Sequence, residues 1–161
     1  MTEQERHLRL LRRCIEISQA AREAGNTPFG CLLADEAGAI VWEQGNVEIT
    51  ESVCTGHAET RLMEEVSRRF SREKLRTCTL YTTAEPCAMC AGAIYWGNVG
   101  KVVYAISEKR LAQLTGDDPR NPTLDLPCRE VFARGRKPVE VIGPFPELEQ
   151  ETVAAHEGYW S

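Results

Sequence analysis

The sequence predicts an α/β protein in three layers, with helices packed on both faces of a central sheet. Two observations predict it. Segments of helical periodicity alternate with short, apolar, β-rich runs along the chain. The chain has 161 residues, 42% of them hydrophobic, which suffices for one compact core and leaves no room for a second. Residues 1–161 are therefore expected to be one domain. No internal repeat or low-complexity stretch interrupts the pattern.

The elements follow in order. Residues 4–24 read as a helix, because Leu10, Cys14, Ile17 and Ala21 recur at helical spacing and Leu8, Leu11 and Ile15 add a second row. So wide an apolar stripe suits a helix lying on a sheet. Gly25-Asn26 ends it. Residues 29–34 and 40–47 are apolar runs joined by the turn Asp35-Glu36-Ala37-Gly38, which predicts a β-hairpin. Residues 57–70 are helical, with Leu62, Met63, Val66 and Phe70 as the buried rows. A strand is expected at 77–82, a short apolar helix at 87–96, a strand at 101–106, helical patches at 108–114 and 126–134, and a last strand at 139–142. Residues 115–127, rich in proline, read as a loop of the kind that shapes a pocket. Residues 144–161 form a tail that opens with Pro144 and Pro146 and ends at Tyr159-Trp160, aromatic rings that need something to pack on.

Composition narrows the function. The first residues carry no apolar run of the signal-peptide kind, and no stretch approaches the ~20 apolar residues that span a bilayer. A cytoplasmic protein with no membrane partner is expected. Seven cysteines in such a chain point to a metal site plus buried thiols rather than a disulfide framework. The formal net charge of −5 lacks the basic excess of a protein that grips a nucleic-acid backbone, and the basic stretch at 129–137 reads as a solvated face. A small neutral substrate fits better.

The chemistry concentrates in two motifs, His57-Ala58-Glu59 and Pro86-Cys87-Ala88-Met89-Cys90. They supply three soft or borderline metal ligands and one carboxylate that is not needed as a ligand. Pro86 is expected to open a helix, which places Cys87 and Cys90 three apart on one face of its first turn, where the helix dipole favours thiolates. Two thiolates and a neutral imidazole balance the charge of Zn²⁺, so the site is cheaper to bury than a charged one. His57 and Glu59 would diverge in mid-helix but can converge at a helix entry, where the backbone is less regular. A different reading uses the C-x-x-H spacing of Cys54 and His57: with Cys87 and Cys90 they would close a structural Cys₃His zinc site that holds no water. Cys14, Cys31, Cys78 and Cys128 are expected to be buried, inert thiols, and His7 and His156 to serve at the surface or as caps.

These two motifs, the second taken from Glu85 to Cys90, together with Thr27-Pro28-Phe29-Gly30, Gly45-Asn46 and Ala93-Ile94-Tyr95-Trp96, resemble the cytidine-deaminase-like superfamily, and within it the bacterial guanine deaminases and related nucleobase deaminases. The resemblance implies a five-stranded mixed sheet between helices, with zinc held by His57, Cys87 and Cys90 and Glu59 as the catalytic proton shuttle. It implies that Asn46 holds the base through its amide and that Phe29 and Trp96 wall the pocket. Ala58, Asp117 and Tyr159 are the remaining substrate contacts that it suggests. It further implies a homodimer, a tail that closes the pocket, and hydrolytic deamination of a free, guanine-like base with release of ammonia. Cytosine- or s-triazine-type deaminases would use the same site. So would tRNA adenosine deaminases, which usually carry a lysine-threonine-glycine loop and a basic C-terminal helix. Here Glu108-Lys109-Arg110 and an acidic tail starting at Glu147 stand instead, so no nucleic-acid partner is expected.

Overall fold

A computed structural model of the chain describes residues 1–160. Five strands form one mixed sheet: β1 (Gly30–Ala34), β2 (Ile40–Gly45), β3 (Thr79–Ala84), β4 (Lys101–Ile106) and β5 (Glu140–Ile142), in the order β2-β1-β3-β4-β5. β1 runs antiparallel to both β2 and β3, whereas β3, β4 and β5 are mutually parallel. The helices are α1 (Glu3–Glu23), α2 (Ala58–Arg69), α3 (Arg72–Arg76), α4 (Ala88–Trp96), α5 (Glu108–Thr115), α6 (Cys128–Ala133) and α7 (Glu149–Ala154). The three-layer α/β/α fold expected from the sequence is the fold observed.

The strand period divides the core. Leu32, Tyr81 and Val103 face one way, into a cluster with Leu10, Leu11, Cys14 and Ile17 of α1 and with Phe145 and Leu148 of the tail. Their neighbours Leu33, Leu80 and Val102 face the other way, against Leu62 and Val66 of α2, Ile94 of α4 and Phe132 of α6. β1 is buried along its whole length, which is why it reads as a continuous apolar run rather than an alternating one. Gly30 permits the closest approach: a Cβ there would lie 2.6 Å from the Cys14 carbonyl oxygen and 2.6 Å from the Ser18 nitrogen.

Several expectations need correction. β3 continues to Ala84, two residues beyond the predicted strand, because Thr82, Thr83 and Ala84 are all buried beside β4. The helix after it starts at Ala88 with Cys87 as N-cap, so Pro86 precedes the helix rather than opening it. α3 and α7 were not anticipated, for neither is long enough to show a period. His7 and His156 are not surface groups: they are 4% and 3% exposed. His7 Nδ1 lies 2.8 Å from the Tyr81 hydroxyl, and His156 Nδ1 accepts from Trp160 Nε1. Cys14, Cys31, Cys78 and Cys128 are buried free thiols, as expected. No described helix is long and apolar enough to cross a membrane.

The topology gathers one end of the sheet. β3 and β4 are parallel, so their carboxyl ends coincide, and the antiparallel β1 brings its amino end there, with the exit of β2 beside it. In open α/β sheets ligands bind outside the carboxyl ends of the strands, at the point where strand order reverses.

Candidate active site

At that end lies a cavity of about 300 Å³. Four of the five strands deliver a residue to it: Phe29 just before β1, Asn46 just after β2, Glu85 just after β3 and Glu108 two residues after β4. His57, Ala58 and Glu59 enter from the start of α2, and Cys87 from the start of α4. The loop after α5 closes one side with Arg120, Asn121, Pro122, Thr123 and Leu124.

His57, Cys87 and Cys90 form the one group of potential metal ligands found among the described residues, with ligand atoms all within 4.8 Å of one another. His57 Nδ1 is 3.6 Å from the sulfur of Cys87 and 3.6 Å from that of Cys90. Around a tetrahedral zinc with ordinary Zn–S and Zn–N lengths, nitrogen and sulfur ligands stand about 3.5 Å apart. The donor set therefore fits the ion in both chemistry and spacing. Cys54 is exposed and lies outside the group, so the structure does not bring it in as a fourth ligand. Thr60 Oγ1 donates to Cys90 Sγ at 3.1 Å and supports that ligand from behind.

Helix caps solve the spacing of His57 and Glu59. His57 is the N-cap of α2, with extended backbone (φ −65°, ψ 147°), while Glu59 already sits in the first helical turn. The change of backbone at the cap turns both side chains toward one space, which a helical i, i+2 pair would not reach. Cys87 is likewise the extended N-cap of α4, and Cys90 follows on its first turn.

Electrostatics follow from burial. The Glu59 carboxyl is 7% exposed, and burial, aided by the negative charge of Cys87, pushes its pKa up to about 7. Hydrogen bonds from Cys90 and then from His57 hold Cys87 down at about 4, although burial opposes them. His57 is raised to about 9, chiefly by its hydrogen bond to Cys87. Without metal the cluster thus leans toward an imidazolium beside a thiolate, and a cation must displace those protons to bind.

The remaining predicted contacts divide. Asn46 is 2% exposed in the wall, its Oδ1 accepting from the Glu48 N–H and its Nδ2 donating to Glu48 Oε1, both at 3.0 Å. Phe29 lines the cavity and meets His156 edge-on at a centroid distance of 5.4 Å. Ala58 lines it and is fully buried. Trp96 does not reach it within this chain: it is 77% exposed at the far end of α4, about 13 Å of helix away from Cys87. Asp117 is exposed and also absent from the lining, as is Tyr159. Asp118, next to Asp117, is 3% exposed and grips Arg120, at 3.0 Å to Nε and 2.7 Å to a terminal nitrogen. Tyr159 touches the site indirectly, its ring 4.4 Å from the Arg120 guanidinium.

Sequence reasoning placed Glu85 in the Glu85–Cys90 motif without a role, and missed Glu108 and Arg120 as parts of this site. Glu85 is a buried staple whose two oxygens accept from the Glu108 N–H at 2.9 Å and the Cys128 N–H at 2.8 Å, tying α5 and α6 to the end of β3. The signal for Glu85 and Glu108 was their place at the carboxyl ends of adjacent strands. Arg120 had none.

Residues 4–106 match the family model of the cytidine and deoxycytidylate deaminase zinc-binding region. A probable cytosine deaminase of Schizosaccharomyces pombe is 37% identical over 156 residues, 97% of this chain and 93% of that protein. A tRNA-specific adenosine deaminase of Haemophilus influenzae is 34% identical over 100 residues, 62% of this chain and 58% of that protein. Among solved structures, the guanine deaminase of Nitrosomonas europaea superposes with a TM-score of 0.70 at 22% identity, covering 92% of this chain and 81% of that one. That likeness speaks to the fold.

Proposed function

The chain belongs to the cytidine and deoxycytidylate deaminase family of zinc-binding hydrolytic enzymes, and on that premise we propose that it deaminates a free amino-heterocyclic base, cytosine before guanine, releasing ammonia. One observation carries the reading. A buried carboxyl, Glu59, opens onto the cavity beside the three-ligand set of His57, Cys87 and Cys90, which would hold a zinc ion and leave it able to take a water.

Zinc bound by these residues supplies a Lewis acid that makes water a nucleophile near neutral pH. The protein's own groups do the rest. Glu59 accepts the proton of the water that attacks the amine-bearing ring carbon. It returns that proton to the adjacent ring nitrogen, then takes the remaining proton of the attacking oxygen and passes it to the amine as the carbon–nitrogen bond breaks and the carbonyl forms. A carboxyl near neutrality can work in both directions. Asn46 presents its amide to the base edge, and Phe29 stacks or abuts the ring. Cytosine comes first because a relative similar over nearly the whole chain is a probable cytosine deaminase. Guanine is the second reading, because a cavity of about 300 Å³ also admits a fused ring. Four carboxyl groups (Glu48, Glu59, Glu85 and Glu108) and a single arginine, Arg120, line the cavity, which therefore lacks the basic excess that a phosphate backbone calls for.

The test is ammonia release from cytosine, guanine, isoguanine, adenine and ammeline, and from the matching nucleosides. Glu59→Ala should keep its zinc and lose at least about a hundredfold in turnover. Turnover persisting in that variant would remove Glu59 from the mechanism. Salt-sensitive binding of RNA by the wild type would move the assignment to tRNA.

A further inference from the structure

Glu108 has no role in the chemistry above. It lies in the cavity wall with 5% exposure, at the first turn of α5, and its backbone N–H is anchored on Glu85. Its Oε2 has no hydrogen-bond partner among the described residues and is closed to water in this rotamer, so a base in the cavity would meet it once the carboxyl turns. An unpartnered buried oxygen costs roughly 1–3 kcal/mol, so its retention in a binding cavity calls for a reason.

Resting on the proposed reaction, we propose that Glu108 is a second substrate-contacting carboxyl, donating a hydrogen bond to the carbonyl oxygen of an amino-oxo heterocycle. Burial, and after it the charges of Cys87, Glu85, Glu59 and Asp125, pushes Glu108 up to about 8, a direction that favours the protonated form able to donate. The acceptor follows from the chemistry. Glu59 serves the ring nitrogen beside the amine, and the strongest acceptor left on such a base is its carbonyl. Cytosine, guanine and isoguanine carry one; adenine does not. Glu108 would thus select amino-oxo bases over purely amino ones.

The experiment uses the zinc-loaded Glu59→Ala protein, in which bases bind without reacting. Calorimetry compares cytosine with the aminopyrimidine that lacks the carbonyl, and guanine with the corresponding aminopurine. The parent should favour the carbonyl-bearing base about tenfold, the worth of one hydrogen bond. Adding Glu108→Leu should erase that preference, whereas Glu108→Gln, which keeps a donor, should retain most of it. A preference that survives Glu108→Leu, or none in the parent, overturns the inference. If the leucine variant does not fold, the ¹³C shift of the Glu108 carboxyl decides: cytosine should move it and the aminopyrimidine should not, and equal shifts overturn the idea. Ammonia release from a base by the wild type, alongside either negative result, sinks this inference alone. Failure of every base to bind or react sinks the substrate reading and this inference with it.

Discussion

His57 and Glu59 show how much chemistry a backbone change at one residue controls. The motif names the two side chains, but only the extended N-cap conformation of His57 makes an i, i+2 pair share one space. Cys54 is the complementary case. Its spacing to His57 suits a structural zinc site, yet it stands exposed at the cavity mouth and apart from the three ligands. Cys54→Ser should therefore leave the zinc content at one per chain, measured by atomic absorption, with no fall in melting temperature. Loss of zinc with unfolding would restore the closed Cys₃His site. Replacing Cys87 instead should empty the site.

The seam between α1 and β1 depends on the absence of a side chain. An alanine Cβ at Gly30 would press on the backbone of α1 from two directions and push the helix off the sheet. Gly30→Ala is expected to destabilise the fold by about 1–3 kcal/mol in urea unfolding. Gly92→Ala is the control: in mid-α4 nothing lies within 4 Å of its Cβ, and removing a helical glycine should gain roughly 0.5–1 kcal/mol. Equal effects at the two sites would contradict this packing argument. Long amphipathic α1 and the fully buried β1 were legible because each repeats its pattern over enough residues to be counted. α7 was not. It is short and mostly polar, and it is held by particular contacts, such as Thr152 Oγ1 donating to the Leu148 carbonyl and Arg12 meeting Glu151.

Across the molecule, the tail joins the outer layer to the site. Phe145 and Leu148 enter the α1 side of the core, Arg22 of α1 donates to the Ala155 and Glu157 carbonyls, and His156 sits between Trp160 and Phe29. Burial, and secondarily Arg22, lowers His156 from its ordinary 6.5 to about 4. The folded protein thus holds this ring neutral, while the unfolded chain takes up a proton below its own pKa of 6.5. Stability from this group is complete above pH 6.5 and falls as pH drops toward 4, by up to about 3 kcal/mol. His7, lowered by burial, acts in the same direction. Urea midpoints at pH 7 and pH 4.5 should show the loss, and His156→Gln should shrink it. A midpoint independent of pH would refute the assignment.

The ligand types, the spare carboxylate and the layered α/β class were all readable along the chain, because they are local: a spacing, a period, a donor set. The cavity's far wall was not. Glu85, Glu108 and Arg120 are brought to His57 by strand order and by a loop, and Trp96 is carried away from it by the length of α4. Which side chains meet across a sheet edge depends on pairing between segments distant in sequence, and no local pattern encodes that pairing.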